Sequence, residues 1–312
     1  MMRRRMLVVG VILFLIGSCV GPVTAHDDIR GLAQTAVNWS QKTDSSHDPN
    51  PRCFPGLQSY LLISWNGSGT QGPLDPGGEP RNITLTLRYT TVGGYPLIGK
   101  IILLYCLLTD QYVTVSLDIG DIPSWCSASL SESQLHFPIS DMISSQVTTL
   151  TVAVDEHAPA YNLCPIPIHG SVETLRGPFG LLPLVDGFEI TATLSVIPGY
   201  LPRINVTPES DVLHVALGNT SHLIINITNC GNAMTAVMAE IVDRPEGDWL
   251  ISLPSQIILE VNMSGELCLS IVPPNDFSGT ESITMTFTPF KADDYSQHGD
   301  PVSITIEIIC EP

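Results

Sequence analysis

The chain has 312 residues, 44% of them apolar and 14% charged, with 31 acidic against 13 basic side chains for a formal charge of −18. That balance repels phosphate backbones and excludes a nucleic-acid binder. The apolar share excludes a disordered chain and suffices for two cores of ordinary domain size.

At the N-terminus, Arg3, Arg4 and Arg5 precede an apolar run over residues 7–17, and small residues follow up to Val23, Thr24 and Ala25. Signal peptidase reads that order of charge, apolar core and small side chains, so residues 1–25 are expected to be a signal peptide cleaved after Ala25. The run is shorter than the ~20 residues of a bilayer span. Two other fates compete with cleavage. The segment can be retained as an anchor, or be processed at Ile16-Gly17-Ser18-Cys19, which resembles a lipoprotein box and would place a lipid on Cys19. Either makes the N-terminal segment a membrane tether. Cleavage removes three basic residues and no acidic one, leaving a mature charge of −21. The expected location is outside the cytoplasm, extracellular or on the cell surface.

Residues 26–52 are polar and carry Asp27, Asp28, Pro49 and Pro51, as a spacer would. Cleavage would leave His26 with a free amine. An amine plus an imidazole chelates copper in some polysaccharide-oxidising enzymes on Ig-like sandwiches, but a polar tether does not hold the pair rigid, so incidental placement is preferred.

From residue 53 the pattern is strand and turn. Residues 60–65 read as a strand, and 66–80, dense in glycine and proline, as a loop. In 82–90, Ile83, Leu85, Leu87 and Tyr89 alternate with Asn82, Thr84, Thr86 and Arg88, a period of two with one dry face. Residues 100–108 are almost wholly apolar and are expected to be a strand buried on both faces. Further strands are expected at 112–117, 147–154 and 188–197. No window carries a sustained 3.6-residue stripe, so no helix is expected. Asp155, Glu156 and His157 end one strand. In extended chain Asp155 and His157 would share a side and Glu156 would not, and a wet strand terminus is preferred over an acid–base pair.

The run Ile197-Pro198-Gly199-Tyr200-Leu201-Pro202 breaks the pattern and marks a boundary. Strands are then expected at 212–217, 222–229, 235–242, 257–261, 267–272, 282–288 and 302–309. Seven short strands in about 108 residues are an Ig-like sandwich signature. In 282–288, Ile283, Met285 and Phe287 oppose four hydroxylated residues. The expected fold class is all-β: two β-sandwich domains in tandem, residues 53–202 and 203–312, the second Ig-like, after an N-terminal signal segment.

Seven of the 12 asparagines lie in Asn-x-Ser/Thr: Asn38, Asn66, Asn82, Asn205, Asn219, Asn226 and Asn262. Export makes these glycan acceptors, Asn205 least so because Pro208 follows its threonine. Besides Cys19 there are seven cysteines, and none has Cys-x-x-Cys spacing, which speaks against structural zinc. Cys53, Cys106, Cys126 and Cys164 are disulfide candidates in the first domain and Cys230 and Cys268 in the second, where Cys310 also lies. Spacing does not decide the pairing.

The segments Trp249-Leu-Ile-Ser-Leu-Pro254, Ile257-Ile-Leu259, Gly265-Glu-Leu-Cys-Leu-Ser-Ile-Val-Pro-Pro274 and Ile283-Thr-Met-Thr-Phe-Thr-Pro289, with Asn226-Ile-Thr-Asn-Cys-Gly-Asn232, resemble the NPCBM-associated Ig-like domain of prokaryotic, mainly archaeal, exported and envelope proteins. The stretch from Ala158 through Gly177-Pro-Phe-Gly180 to Pro202 resembles a module that precedes such domains in archaeal surface proteins. Members often carry a C-terminal membrane helix, and no comparable apolar run precedes Pro312. The resemblance implies a fold and an envelope location, and no chemistry.

Catalytic motifs such as Gly-x-Ser-x-Gly and His-Glu-x-x-His are absent. Asp293, Asp294 and Asp300, with His298, form an acidic segment whose oxygens suit calcium, set against the plainer reading of a solvated edge loop. No cofactor is expected, calcium being the ion this segment would suit. Trp125 and Trp249 are candidate sugar-stacking rings, a core role being preferred for Trp249. The function expected is therefore that of an exported cell-surface or envelope protein, structural or interacting, that binds envelope proteins or glycans without catalysis. Alternatives are a carbohydrate-binding accessory protein and a metal-dependent secreted enzyme.

Overall fold

The computed structural model describes residues 57–67, 72–93, 96–177 and 183–311. The signal segment, the spacer, Cys19, His26, Asn38 and Cys53 lie outside the described residues. The chain forms two compact units, and the fold is all-β.

The first unit contains residues 80–152 and 164–196 together with the described part of 1–71. Its elements are β1 (Leu57–Trp65), β2 (Arg81–Gly93), helix α1 (Pro96–Leu108), β3 (Tyr112–Ile119), β4 (Cys126–Leu130), β5 (Gln134–Pro138), β6 (Ser144–Val154), β7 (Cys164–Val172), β8 (Leu175–Arg176), β9 (Pro183–Val185) and β10 (Phe188–Val196). A six-stranded sheet runs β4-β6-β2-β1-β9-β8 and a four-stranded sheet β10-β7-β3-β5. The alternation of β2 does what its sequence requires: Ile83, Leu85, Leu87 and Tyr89 are buried and Asn82, Thr84 and Arg88 are exposed. Gly170 on β7 shows how tightly the sheets face each other, since a Cβ there would lie 3.2 Å from Ile63 Cδ1 and 3.3 Å from Leu61 Cδ2 on β1. Tyr89 closes this core by packing against Phe137 at 5.5 Å, with its hydroxyl 2.9 Å from Ser59 Oγ.

One expectation fails here. Residues 100–108, read as a doubly buried strand, lie in helix α1. A continuous apolar run has no periodicity of its own, so both states fit it, and composition decides. Leucine is a better helix former than the β-branched residues of the true strands, and the helix opens at Pro96, a residue suited to a first helical position. The buried face is Gly99, Ile102 and Cys106, at helical spacing. Gly99 lets α1 approach β2 closely: a Cβ there would lie 2.5 Å from Gly93 Cα. Asp110, left-handed at φ 49°, ends the helix, and Gln111 N donates back to Cys106 O at 3.0 Å.

Buried acids of this core give the first unit an alkaline weakness. Burial pushes Tyr89 up to about 12, the Ser59 hydrogen bond opposing in part, and pushes the thiols of Cys106 to about 11 and Cys126 to about 12. Their unfolded values are near 10.0 and 9.0, so above pH 9 the unfolded chain releases protons that the folded one retains. Stability is full below that point and lost as pH rises toward 12. The urea midpoint of the reduced protein should fall steadily across this interval, and a flat midpoint would contradict the burial of these groups.

The second unit gathers residues 72–79, 153–163 and 197–312. Its strands are β11 (Ile204–Pro208), β12 (Val212–Ala216), β13 (Ser221–Asn229), β14 (Thr235–Asp243), β15 (Leu250–Ser252), β16 (Gln256–Leu259), β17 (Ser264–Val272), β18 (Gly279–Lys291), β19 (Asp294–His298) and β20 (Val302–Glu311). One sheet runs β11-β13-β17-β15, the other β12-β20-β18-β14-β16, with β19 hairpinned onto β18. Among the named strands of this unit the pairings are antiparallel except β12 with β20, which pair in parallel from Val212↔Glu307, and Leu74 forms a parallel bridge with Pro198. Between the sheets lies one apolar cluster that includes Leu223, Ile225 and Ile227 of β13, Ile271 of β17, and Ile283, Met285 and Phe287 of β18. Residues 72–79 and 153–163 are held by backbone and side-chain bonds: Leu74 N to Ile197 O at 2.7 Å, Tyr161 N to Pro198 O at 2.9 Å, and Asn232 Nδ2 to Ala158 O at 2.8 Å.

Candidate interaction surface

Helix α1 buries one face on β2 and presents leucines on another. Leu97, Leu104 and Leu108 recur at i, i+7 and i+11, the spacing of a single helical stripe, and Leu107 flanks them. Leu104 is 55% exposed, Leu107 69% and Leu108 58%. Beside this helix, the loop after β5 is tied to the end of β2 by Thr91 N and Thr91 Oγ1, both donating to Ser140 O, and to the helix exit by Ile139 N donating to Gln111 O. That loop holds Met142, 75% exposed, and the exposed Ile143. Lys100, Asp110 and Asp141 are the charges on these two segments. Scattered single apolar side chains on a surface are ordinary, whereas a contiguous set marks a contact site. Sequence reading missed this feature because it took 100–108 as a strand. Its content of leucine rather than β-branched residues was the available signal.

Two carboxylates of the acidic segment are engaged locally. Lys291 Nζ pairs with Asp293 Oδ1 at 2.6 Å and holds that carboxyl below its ordinary value. Asp294 is held low by Ser296, whose hydroxyl donates to Oδ1 at 2.6 Å, and by Gln297 Nε2, which donates to Oδ2 at 2.7 Å. Both carboxylates are engaged locally in the β18–β19 hairpin, and Asp300 lies beyond β19 with an exposed side chain. Among the described residues no three His, Cys, Asp or Glu side chains converge on one point. Residues 155–157 form a turn rather than extended chain, which reverses the expected facing. Asp155 Oδ1 accepts from His157 N at 2.7 Å, while Glu156 reaches both His157 Nε2 at 3.8 Å and Arg203 Nη1 at 2.9 Å.

Of the aromatic candidates, Trp249 packs against the apolar cluster of the second unit. It meets Phe277 edge-on at 5.2 Å and donates from Nε1 to Glu246 O at 3.1 Å. Trp125 is half-buried. An open recess of about 440 Å³ in the second unit is lined by Leu74, Tyr161, Tyr200, Gln297 and His298 among others. Its tyrosines are already committed. Lys291 Nζ sits 4.9 Å from the centroid of the Tyr161 ring, the Tyr161 hydroxyl bonds Gln297 Oε1, and the Tyr200 hydroxyl lies 3.0 Å from Thr235 Oγ1.

The six described sequon asparagines, Asn66, Asn82, Asn205, Asn219, Asn226 and Asn262, are all exposed. Asn262 adopts φ 62°, a left-handed conformation asparagine tolerates. Cys106, Cys126, Cys164 and Cys310 are buried, Cys230 is half-buried, and Cys268 is exposed with its sulfur 3.7 Å from His222 Nδ1. No helix of the described residues is long and apolar enough to cross a membrane.

No protein-family model matches the chain, and no curated protein matches its sequence. Among solved structures it is similar to PapD-like domain 7 of human CEP192, at 11% identity over 34% of this chain and 84% of that one, with a TM-score of 0.27. A protein of unknown function from Porphyromonas gingivalis W83 is 11% identical over 81% of this chain and 99% of its own, with a TM-score of 0.26. Domains 4 and 5 of the S-layer protein SbsC give 11% identity over 81% and 98%, with a TM-score of 0.26.

Proposed function

We propose that this is an exported, glycosylated envelope or cell-surface protein that acts by non-catalytic binding, docking an apolar surface of another protein onto the leucine face of α1. The exposed leucines carry this reading, because that much apolar side chain left in water is stabilised when a partner covers it. A protein fits better than an anionic bilayer. The chain is strongly acidic, and α1 offers only Lys100 to lipid head groups, whereas interfacial helices are rich in basic residues. Export rests on the charge-apolar-small order of residues 1–25, on the sequon excess, and on the resemblance to NPCBM-associated Ig-like domains. Glycans on the exposed sequons would shield both units and leave α1, which bears none, open.

The test places a photo-crosslinking amino acid at Leu104 in the producing cells, with Glu281 of the second unit as control position. Position 104 should yield a defined protein adduct that position 281 does not. Leu107→Glu with Leu108→Glu should cut its yield at least about tenfold, as loss of a hot spot does. Equal adducts from both positions, or purified protein that floats with protein-free anionic vesicles through the same leucines, would overturn the protein-docking reading.

A further inference from the structure

We infer that Cys126 and Cys164 are the two ends of a disulfide that staples the sheets of the first unit across their shared core. Cys126 opens β4, at the edge of the six-stranded sheet, just after a turn closed by its own N–H on Pro123 O at 2.9 Å. Cys164 opens β7, in the four-stranded sheet, opposite Val196 of β10. Both side chains point inward: Cys164 shares the buried face of Ile166 and Ile168, and Cys126 is the buried residue of β4. Each thiol lies within interacting range of the other, between the two sheets. Among the described residues, the other cysteines have different surroundings. Cys106 is on the inner face of α1, Cys310 is within the apolar cluster of the second unit, Cys230 contacts Thr228 O, and Cys268 contacts His222. Strand ends also suit a bridge, because they can adjust to disulfide geometry without breaking a ladder.

The chemistry is thiol–disulfide exchange with a small or protein disulfide as oxidant. One cysteine thiolate attacks a sulfur of that disulfide, whose S–S bond breaks to give a mixed disulfide and one released thiol. The second cysteine then attacks the first cysteine's sulfur and expels the other thiol. Cys126 and Cys164 lose two electrons and two protons, and the oxidant gains both as two thiols. Both thiols are buried, out of an oxidant's reach in the folded, reduced protein, and burial also raises them above their ordinary value. The bond therefore forms before the sheets close over the pair. This inference stands on the first unit's core and is independent of what docks on α1.

The test is refolding of the full chain in a mixture of oxidised and reduced glutathione, followed by denaturation, alkylation and peptide mapping. A linked peptide joining Cys126 to Cys164 is expected, with both positions protected from alkylation until reduced. Oxidant added to already folded, reduced protein should form the same link far more slowly. Reduction should lower the melting temperature of the wild type, by on the order of 10 °C for a loop spanning residues 127–163, and leave Cys126→Ala/Cys164→Ala unmoved. Full alkylation of both positions after oxidative refolding, or their appearance linked to other cysteines, overturns the inference, as does an equal reduction shift in the double variant.

Discussion

Truncating Phe287 to alanine should destabilise the second unit by about 3–5 kcal/mol, a loss read as a lower urea midpoint with an unchanged slope. Phe287 is fully buried in the middle of β18, which is paired on both sides. Its neighbours in register are Ala239 on β14 and Val302 on β20. Alanine on one flank leaves the ring as the main filler of that level of the core. Strands hydrogen-bonded on both edges cannot slide inward to close the gap, so most of the cavity would persist. Thr286, next in the chain, points to the other face and is half-buried. Thr286→Ala should cost under about 1 kcal/mol. Equal costs for the two substitutions would mean that β18 does not divide a dry face from a wet one.

That division is also what the sequence displayed most clearly. Where a strand has one dry face, its side chains announce it with a period of two. The alternations of β2 and β18 therefore located two central strands and their buried residues in advance. Three strands are less legible: β4, whose inward residue is a cysteine; β7, which alternates throughout but carries Pro165 and Pro167, residues that speak against a strand; and β19, which Asp294 opens. Helix α1 was misread for the opposite reason, since apolar residues on every side erase both periods.

Long-range membership left no local trace either. Residues 72–79 and 153–163 belong with the second unit through bonds such as Leu74 N to Ile197 O, between positions more than a hundred residues apart. The parallel β12–β20 edge joins the start of that unit to its end in the same way. Nor could spacing nominate Cys126 and Cys164 among four candidates, because their meeting depends on two sheets folding face to face. Composition shows the carboxylates of the acidic segment, while it does not show that Lys291, Ser296 and Gln297 pair with Asp293 and Asp294.

Asn229 was legible as the last polar residue of a strand and illegible as a structural centre. Its side chain is fully buried. Nδ2 donates to Ala233 O at 2.8 Å and to Leu259 O at 3.1 Å, and Oδ1 accepts from Gly231 N at 2.9 Å and from Thr235 Oγ1 at 3.4 Å. One amide thus satisfies the turn between β13 and β14 and ties it to β16 in the facing sheet. Asn229→Ala strands buried donors and acceptors with no route to water, and should cost about 3–5 kcal/mol. Asn229→Asp separates this account from one based on volume. Aspartate has nearly the same shape, but its carboxylate would put a second acceptor oxygen against the carbonyls of Ala233 and Leu259. Burial and those lone pairs raise the folded acid's pKa above the unfolded value of about 3.9, so the folded state binds the proton more tightly. The Asp variant should therefore lose stability as pH rises from about 4 toward neutrality, and at pH 7 be no more stable than the alanine variant. Unfolding midpoints of the three proteins at pH 4 and pH 7 decide the matter. An Asp variant as stable as wild type at pH 7 would show that Nδ2 makes no bond the fold depends on.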